Sequence, residues 1–228
     1  MTNFIENSVF LGAMLSLVAY EAGMLLKRKF KLAIFNPLLI AILCVMGVLS
    51  LLGIDYDTYN EGGKYISYLL TPATVCLAVP LYRQMNLLKK NIKAVVLGIV
   101  SGVLASLVSV LALAWLFGLS HEEYVTLLPK SITTAIGMGV SEELGGIVTI
   151  TVAVIIITGV LGNMIAEAVC RIARINEHIA KGLVLGTSAH AIGTAKAMEM
   201  GEVEGAMSSL AIAVAGLLTV VGASVFVQ

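Results

Sequence analysis

The sequence predicts an all-α, polytopic membrane protein, and three observations carry that prediction. Of the 228 residues, 59% are hydrophobic and only 12% are charged, with a mean hydropathy of +1.00, so polar side chains are too few to cover a water-soluble globule. Six apolar segments come close to the ~20 residues that a helix needs to cross the hydrocarbon core. The loops between them alternate between basic and acidic, as in a chain threaded back and forth across a bilayer.

The segments run from Ser8 to Leu26, Leu32 to Leu52, Tyr65 to Tyr82, Val95 to Phe117, Ile147 to Ala166 and Ala206 to Val227. The first has its positive cluster, Lys27, Arg28, Lys29 and Lys31, after the apolar stretch, the reverse of a cleavable signal, and so counts as a permanent span. In the third, Thr71, Pro72, Thr74 and Pro80 mark a kinked or broken helix, because proline removes an amide donor. Thr71 and Thr74, with Asn163 in the fifth span, are weaker candidates for lining a polar cavity.

Two further stretches, LLPKSITTAIGMGVSEELGG from Leu127 to Gly146 and GLVLGTSAHAIGTAKAMEMG from Gly182 to Gly201, are too polar and glycine-rich for ordinary lipid-facing helices. The basic residues orient the chain. Three loops, Lys27 to Lys31, Arg83 to Lys93 and Arg171 to Lys181, hold eleven of the fourteen Lys and Arg, which places them in the cytoplasm. The alternate loops carry Glu6, Asp55, Asp57, Glu61, Glu122 and Glu123 against Lys64 alone, which places them, the N-terminus and the C-terminus outside. An odd number of crossings must then separate residue 124 from Arg171, and Ile147 to Ala166 supplies one. The first polar stretch is therefore expected to enter and return as a re-entrant or broken helix, and the second to do so from the other side. TAIG at Thr134 to Gly137 matches HAIG at His190 to Gly193 at an offset of 56 residues, and two successive units with one net crossing each are inverted relative to one another. Secondary transporters hold substrate between broken helices of such inverted repeats.

Once the loops are assigned, two basic residues remain, Lys130 and Lys196, one in each polar stretch. An intramembrane lysine costs ~2.5 to 3.5 kcal/mol and by default faces a cavity, a partner charge or a ligand. The plainer alternative is that each snorkels to the headgroups or pairs with Glu142, Glu143 or Glu199; Glu142 and Glu199 are also weaker cavity candidates. Ser131, Thr133 and Thr134 surround the first lysine, and Thr187, Ser188 and Thr194 the second, with Gly137 and Gly193 to interrupt helix geometry. Hydroxyls and the amides of broken helices suit a small carboxylate, although interhelical hydrogen bonding explains any single hydroxyl equally well. His190 is read as a substrate ligand, a carrier of a coupling proton, or a hydrogen-bonded structural histidine.

The three cysteines, Cys44, Cys76 and Cys170, read as small buried hydrophobes. Walker, HExxH, GxSxG and CxxC patterns are absent from the sequence, and no enzyme activity, metal, cofactor or nucleic-acid partner is expected. Gly98, Gly102, Gly216 and Gly222 permit close helix packing, within the chain or in a homo-oligomer.

LLPKSITTAIGMGVSEELGG, GTSAHAIGTAKAMEMGEVEGAMSSLA and LTPATVCLAVPLYRQ resemble the LrgB/CidB family of bacterial membrane proteins over nearly the whole chain. Ala135 departs from the proline that many relatives carry there. The resemblance implies a single LrgB-like transmembrane domain, 1–228, with four spans in 1–120 and broken-helix units in 121–170 and 171–228. The family is described as holin-like or antiholin-like and linked to murein hydrolase control and lysis. It is also similar to the C-terminal half of the plant plastidal glycolate/glycerate translocator, and bacterial relatives are associated with pyruvate uptake. Two functions follow as expectations. The first is a carrier in the inner membrane for small 2-hydroxy or 2-keto monocarboxylates such as glycolate, glycerate, lactate or pyruvate, working with a separate LrgA-type membrane protein. The second is an antiholin-like regulator that moves no solute.

Overall fold

Hydrocarbon offers the backbone no water to bond, so a chain of this composition must satisfy its amides and carbonyls internally. The computed structural model describes residues 10–30, 32 and 35–227. Met1 to Asn7, the start of the first expected span, Lys31 and the last residue lie outside them. All regular structure among the described residues is helical: α1 (Leu11–Phe30), α2 (Pro37–Leu52), α3 (Tyr56–Ser67), α4 (Leu70–Cys76), α5 (Ala78–Arg83), α6 (Met85–Lys90), α7 (Ile92–Phe117), α8 (His121–Leu127), α9 (Thr134–Glu143), α10 (Val148–Ile172), α11 (His178–Met200) and α12 (Glu202–Phe226). By length and hydropathy, α7, α10, α12 and the helical run Tyr56–Arg83 are long and apolar enough to cross a membrane, and α2 is a shorter apolar helix. The chain is thus an all-α, multi-pass membrane protein, and it divides into two compact units, Met1–Cys76 and Leu77–Gln228.

Two expected spans differ in detail. The second begins at Pro37 rather than Leu32, because the Asn36 side chain accepts from the Leu38 and Leu39 amides and proline follows as the first helical residue, a strong helix start. The third is a series of short helices in which Pro72 and Pro80 each occupy a first turn, where a missing amide costs nothing. Gly12 brings α1 onto the α3 backbone at Tyr59, and the Ser16 hydroxyl meets the Tyr59 hydroxyl at 2.7 Å.

The second unit is built from two helical hairpins and three long helices. The first hairpin is α8, a turn at 128–133, and α9. Thr151 on α10 donates to the Thr126 carbonyl and meets Ser141, while Gly137 abuts Ile155, so α9 runs back down antiparallel to α10. The second hairpin is α11, whose helical geometry fails at Ala189 (φ −130°, ψ 16°) and His190 (φ 42°, ψ −135°). Before the break Gly182 abuts Met207 and Gly186 abuts Ala211; after it Thr194 meets Ser208 and Met198 meets Gly205, so the direction along α12 reverses. Both polar stretches are therefore re-entrant, and they match at the expected offset. Thr134 opens the second leg of one and His190 sits at the break of the other; across the hairpins Gly137 faces Pro129 as Gly193 faces Leu185.

They enter from opposite ends. On α10 the first hairpin is fastened near Thr151, whereas the second has its tip at Ile155, Gly159 and Gly162 and runs toward Glu167. The tips thus meet near the middle of α10, and one row of that helix, Thr151, Ile155, Gly159, Asn163 and Glu167, carries both. Gly98 packs on Leu183, Gly102 on Thr187, Gly216 on Ile136 and Gly222 on Leu107, so these glycines serve packing within the chain. Lys89, Lys90 and Lys93 before and at the start of α7 share an end of the unit with Arg171, Arg174 and Lys181, while Glu122 and Glu123 mark the other.

Gly186→Val places a branched side chain against the Ser208 carbonyl and is expected to cost about 1 to 3 kcal/mol, read as earlier thermal unfolding in detergent. Gly47→Val, at a position with open space around it, leaves the transition unchanged. At the acidic end the Ser120 amide and hydroxyl donate to the Glu123 carboxylate at 2.7 and 2.9 Å and hold it below the ordinary glutamate range. The unfolded chain binds that proton more readily, so this cap stabilises α8 above the unfolded value and is lost as pH falls through the folded one. Acid unfolding of Glu123→Gln is accordingly less steep than that of the wild type.

Candidate functional site

The first hairpin turns because Pro129, fully buried, ends α8, and the chain then closes with the Lys130 amide on the Leu127 carbonyl and the Ile132 amide on the Pro129 carbonyl. That turn presents Lys130 and Ser131 at the tip. The Lys130 ammonium donates to the Ser131 oxygen at 3.0 Å, and Ser106 of α7 donates to the same oxygen at 3.0 Å. Ser131 is buried and receives both bonds, so its own proton remains free to be given elsewhere. Among the described residues no carboxylate lies within ion-pair distance of Lys130.

One turn toward the start of α7, Gly102 leaves room for Thr187 of the second hairpin; a Cβ there would stand 2.8 Å from its hydroxyl. Both tips therefore converge on the Gly102–Ser106 turn. Thr187 donates to the Leu183 carbonyl at 2.8 Å and Ser188 to Val184 at 2.6 Å, which leaves their oxygens as acceptors. Gly102 stands out in the sequence only as a packing glycine, and Ser106 does not stand out at all, being one of several serines on an apolar helix.

The second tip is anchored differently. His190, buried and in the left-handed region of φ, donates from Nε2 to the Ile155 carbonyl at 2.9 Å, which assigns the proton to that nitrogen and ties the break to α10. Thr194 and Ser208 share a 2.6 Å hydrogen bond in full burial, and the Asn163 amide donates to the Ile192 carbonyl at 3.0 Å. Lys196 is engaged with Glu167 at 2.6 Å and Glu199 at 3.4 Å. The two lysines consequently stand in unlike environments: Lys196 fastens the second leg to α10, and Lys130 among the described residues bonds to the Ser131 hydroxyl.

Thr133 is the cap residue of α9 without a side-chain cap bond, and Thr134 is half-buried as its first residue. Glu142 is exposed near the end of α9. Thr71 and Thr74 are exposed in the other unit, Thr74 bonding to its own helix at Leu70. Among the described residues no cluster of three or more His, Cys, Asp and Glu side chains is arranged to hold a metal ion.

The charge swap Lys196→Glu with Glu167→Lys is expected to recover the thermal stability that either single change removes, since the pair acts as one fastening between α11 and α10.

Comparison with known proteins gives a consistent picture of descent. The chain is 40% identical to the "Holin-like protein CidB" of Staphylococcus aureus (strain Mu50 / ATCC 700699) over 214 residues, 94% of this chain and 92% of that protein. It is 40% identical to the "Antiholin-like protein LrgB" of Bacillus mycoides (strain KBAB4) over 213 residues, 93% of each. No solved structure matches it. The description of the LrgB-like family matches residues 16–228, and this chain belongs to that family.

Proposed function

We propose that this chain is a secondary carrier for small 2-hydroxy or 2-keto monocarboxylates, bound at Lys130 and Ser131 where the two hairpin tips meet. One observation carries the reading: the Lys130 ammonium at the hairpin tip faces no carboxylate among the described residues, and the hydroxyl beside it accepts two hydrogen bonds while keeping its own proton. A lysine in hydrocarbon costs ~2.5 to 3.5 kcal/mol, and a visiting carboxylate offsets that cost with charge-assisted bonds from both groups. Thr187, packed on Gly102 four residues or ~6 Å along α7 from Ser106, offers an acceptor to a 2-hydroxyl. Hairpins that enter from opposite ends support alternating access, because each tip closes the site toward its own side. The end bearing Lys89, Lys90, Arg171 and Arg174 is cytoplasmic in this reading, the membrane is the cell's inner membrane, and an LrgA-type protein is the separate partner.

The names of the relatives favour a second reading, a holin-like or antiholin-like regulator that acts on murein hydrolase activity or lysis through a holin-like partner. Uptake of labelled glycolate, glycerate, lactate or pyruvate into proteoliposomes, with and without an LrgA-type protein, separates them. The carrier reading expects uptake that falls about 10- to 100-fold in Lys130→Ala, the worth of one hydrogen bond to a charged group, and less in Lys196→Ala. Wild-type protein that moves none of these acids in any combination favours the regulator; uptake indifferent to Lys130 removes the site and spares the carrier.

A further inference from the structure

An open groove of about 680 Å³ runs between α7 and the first leg of the second hairpin, with Ala94, Ser101 and Ala105 of α7 exposed along it. It begins at Asn91 and Glu177, at the basic end of the unit, and ends at Gly102, Ala105 and Thr187. Along α7 that is fourteen residues, ~21 Å at 1.5 Å per residue, enough to lead from the headgroups of one leaflet to the bilayer centre. Its inner end adjoins the turn of α7 that carries Ser106, and hence Ser131 and Lys130.

We infer that this cavity is the water-filled access route by which small anions pass between the basic face and the Lys130 site, an inference that rests on the carrier reading. The α7 wall is small throughout, Ala94, Gly98, Ser101, Gly102 and Ala105, so the space exists because side chains are missing from it. A Cβ on Gly98 would stand 2.9 Å from Leu183, so larger residues would fill the route. Glu177 is the charged residue of the lining, and the elements that form the mouth carry Lys89, Lys90 and Lys93 before and at the start of α7 and Lys181 on α11, against Glu202 and Glu204 at the start of α12, a balance that favours anions. The walls do not trap them. Ser101 gives its proton to the Gly98 carbonyl at 2.9 Å and Thr187 gives its own to Leu183, so strong donors to a carboxylate appear only at the end, on Lys130 and Ser131. Weak contacts along a path and strong ones at its terminus are what passage requires.

Cysteine accessibility tests the route without requiring transport. With Cys44, Cys76 and Cys170 replaced, Ser101→Cys, Ala105→Cys and the control Leu97→Cys, which is exposed on α7 away from the cavity, are compared in membrane vesicles of both orientations. An anionic methanethiosulfonate is expected to modify positions 101 and 105 from the basic face alone, about ten-fold faster than its cationic counterpart, with that preference reduced by Lys90→Gln and Lys93→Gln. Leu97→Cys reacts only with a lipid-soluble maleimide. Should positions 101 and 105 also react only with the maleimide, or with equal rates for the two charges, the cavity is an acyl-chain groove and the route is overturned. That result with Lys130-dependent uptake intact rejects the route alone; a wild-type protein that takes up none of these acids, read separately, rejects the carrier.

Discussion

The rule that no backbone polar group goes unbonded in hydrocarbon governs this molecule, because its two broken helices place non-helical backbone at membrane depth. Such breaks persist only where protein seals them. Here α10 does much of the sealing, with one row of residues four apart. Thr151 holds the base of the first hairpin, Ile155 and Gly159 receive the tip of the second, and Asn163 and Glu167 bind its returning leg. The hairpins are thereby opposed across a shared helix, with their tips toward its middle.

That opposition gives the lysines different work. Lys196 lies beside Glu167 and serves as a fastening between helices, in line with the general finding that intramembrane charges pair. Lys130 sits in the turn after a buried proline, where the Ser131 hydroxyl, itself held by Ser106, accepts from it without neutralising it. In the carrier reading, a hydroxyl beside an ammonium that meets no carboxylate among the described residues awaits a small anion. His190 belongs with the fastenings, since its Nε2 proton is committed to the Ile155 carbonyl.

Much of the architecture was legible in the sequence, for identifiable reasons. The basic loops and the TAIG and HAIG motifs placed both hairpins at an offset that the observed contacts repeat, from Pro129 and Gly137 to Leu185 and Gly193. Span ends were less legible: Asn36 and Pro37 start α2 later than hydropathy implies, because capping chemistry, not apolarity, sets where a helix begins. The site was half legible. Lys130 and Ser131 stood out by composition, but Ser106 carries no local signal, and the partner of Lys196 includes Glu167, whose position depends on which face of α10 meets the hairpin. Thr71 and Thr74, weaker cavity candidates because Pro72 and Pro80 break their span, lie in the other compact unit.

The central claim is that the tip of the first hairpin holds a small carboxylate. An experimental map of the protein with a brominated 2-hydroxy or 2-keto acid, read by anomalous scattering, tests it most directly. The account predicts a carboxylate within about 4 Å of the Lys130 ammonium and in contact with the Ser131 hydroxyl, with the bromine in the space between the tips. A map that places Lys130 among lipid phosphates or against a protein carboxylate, with the acid absent from the tips, would contradict it.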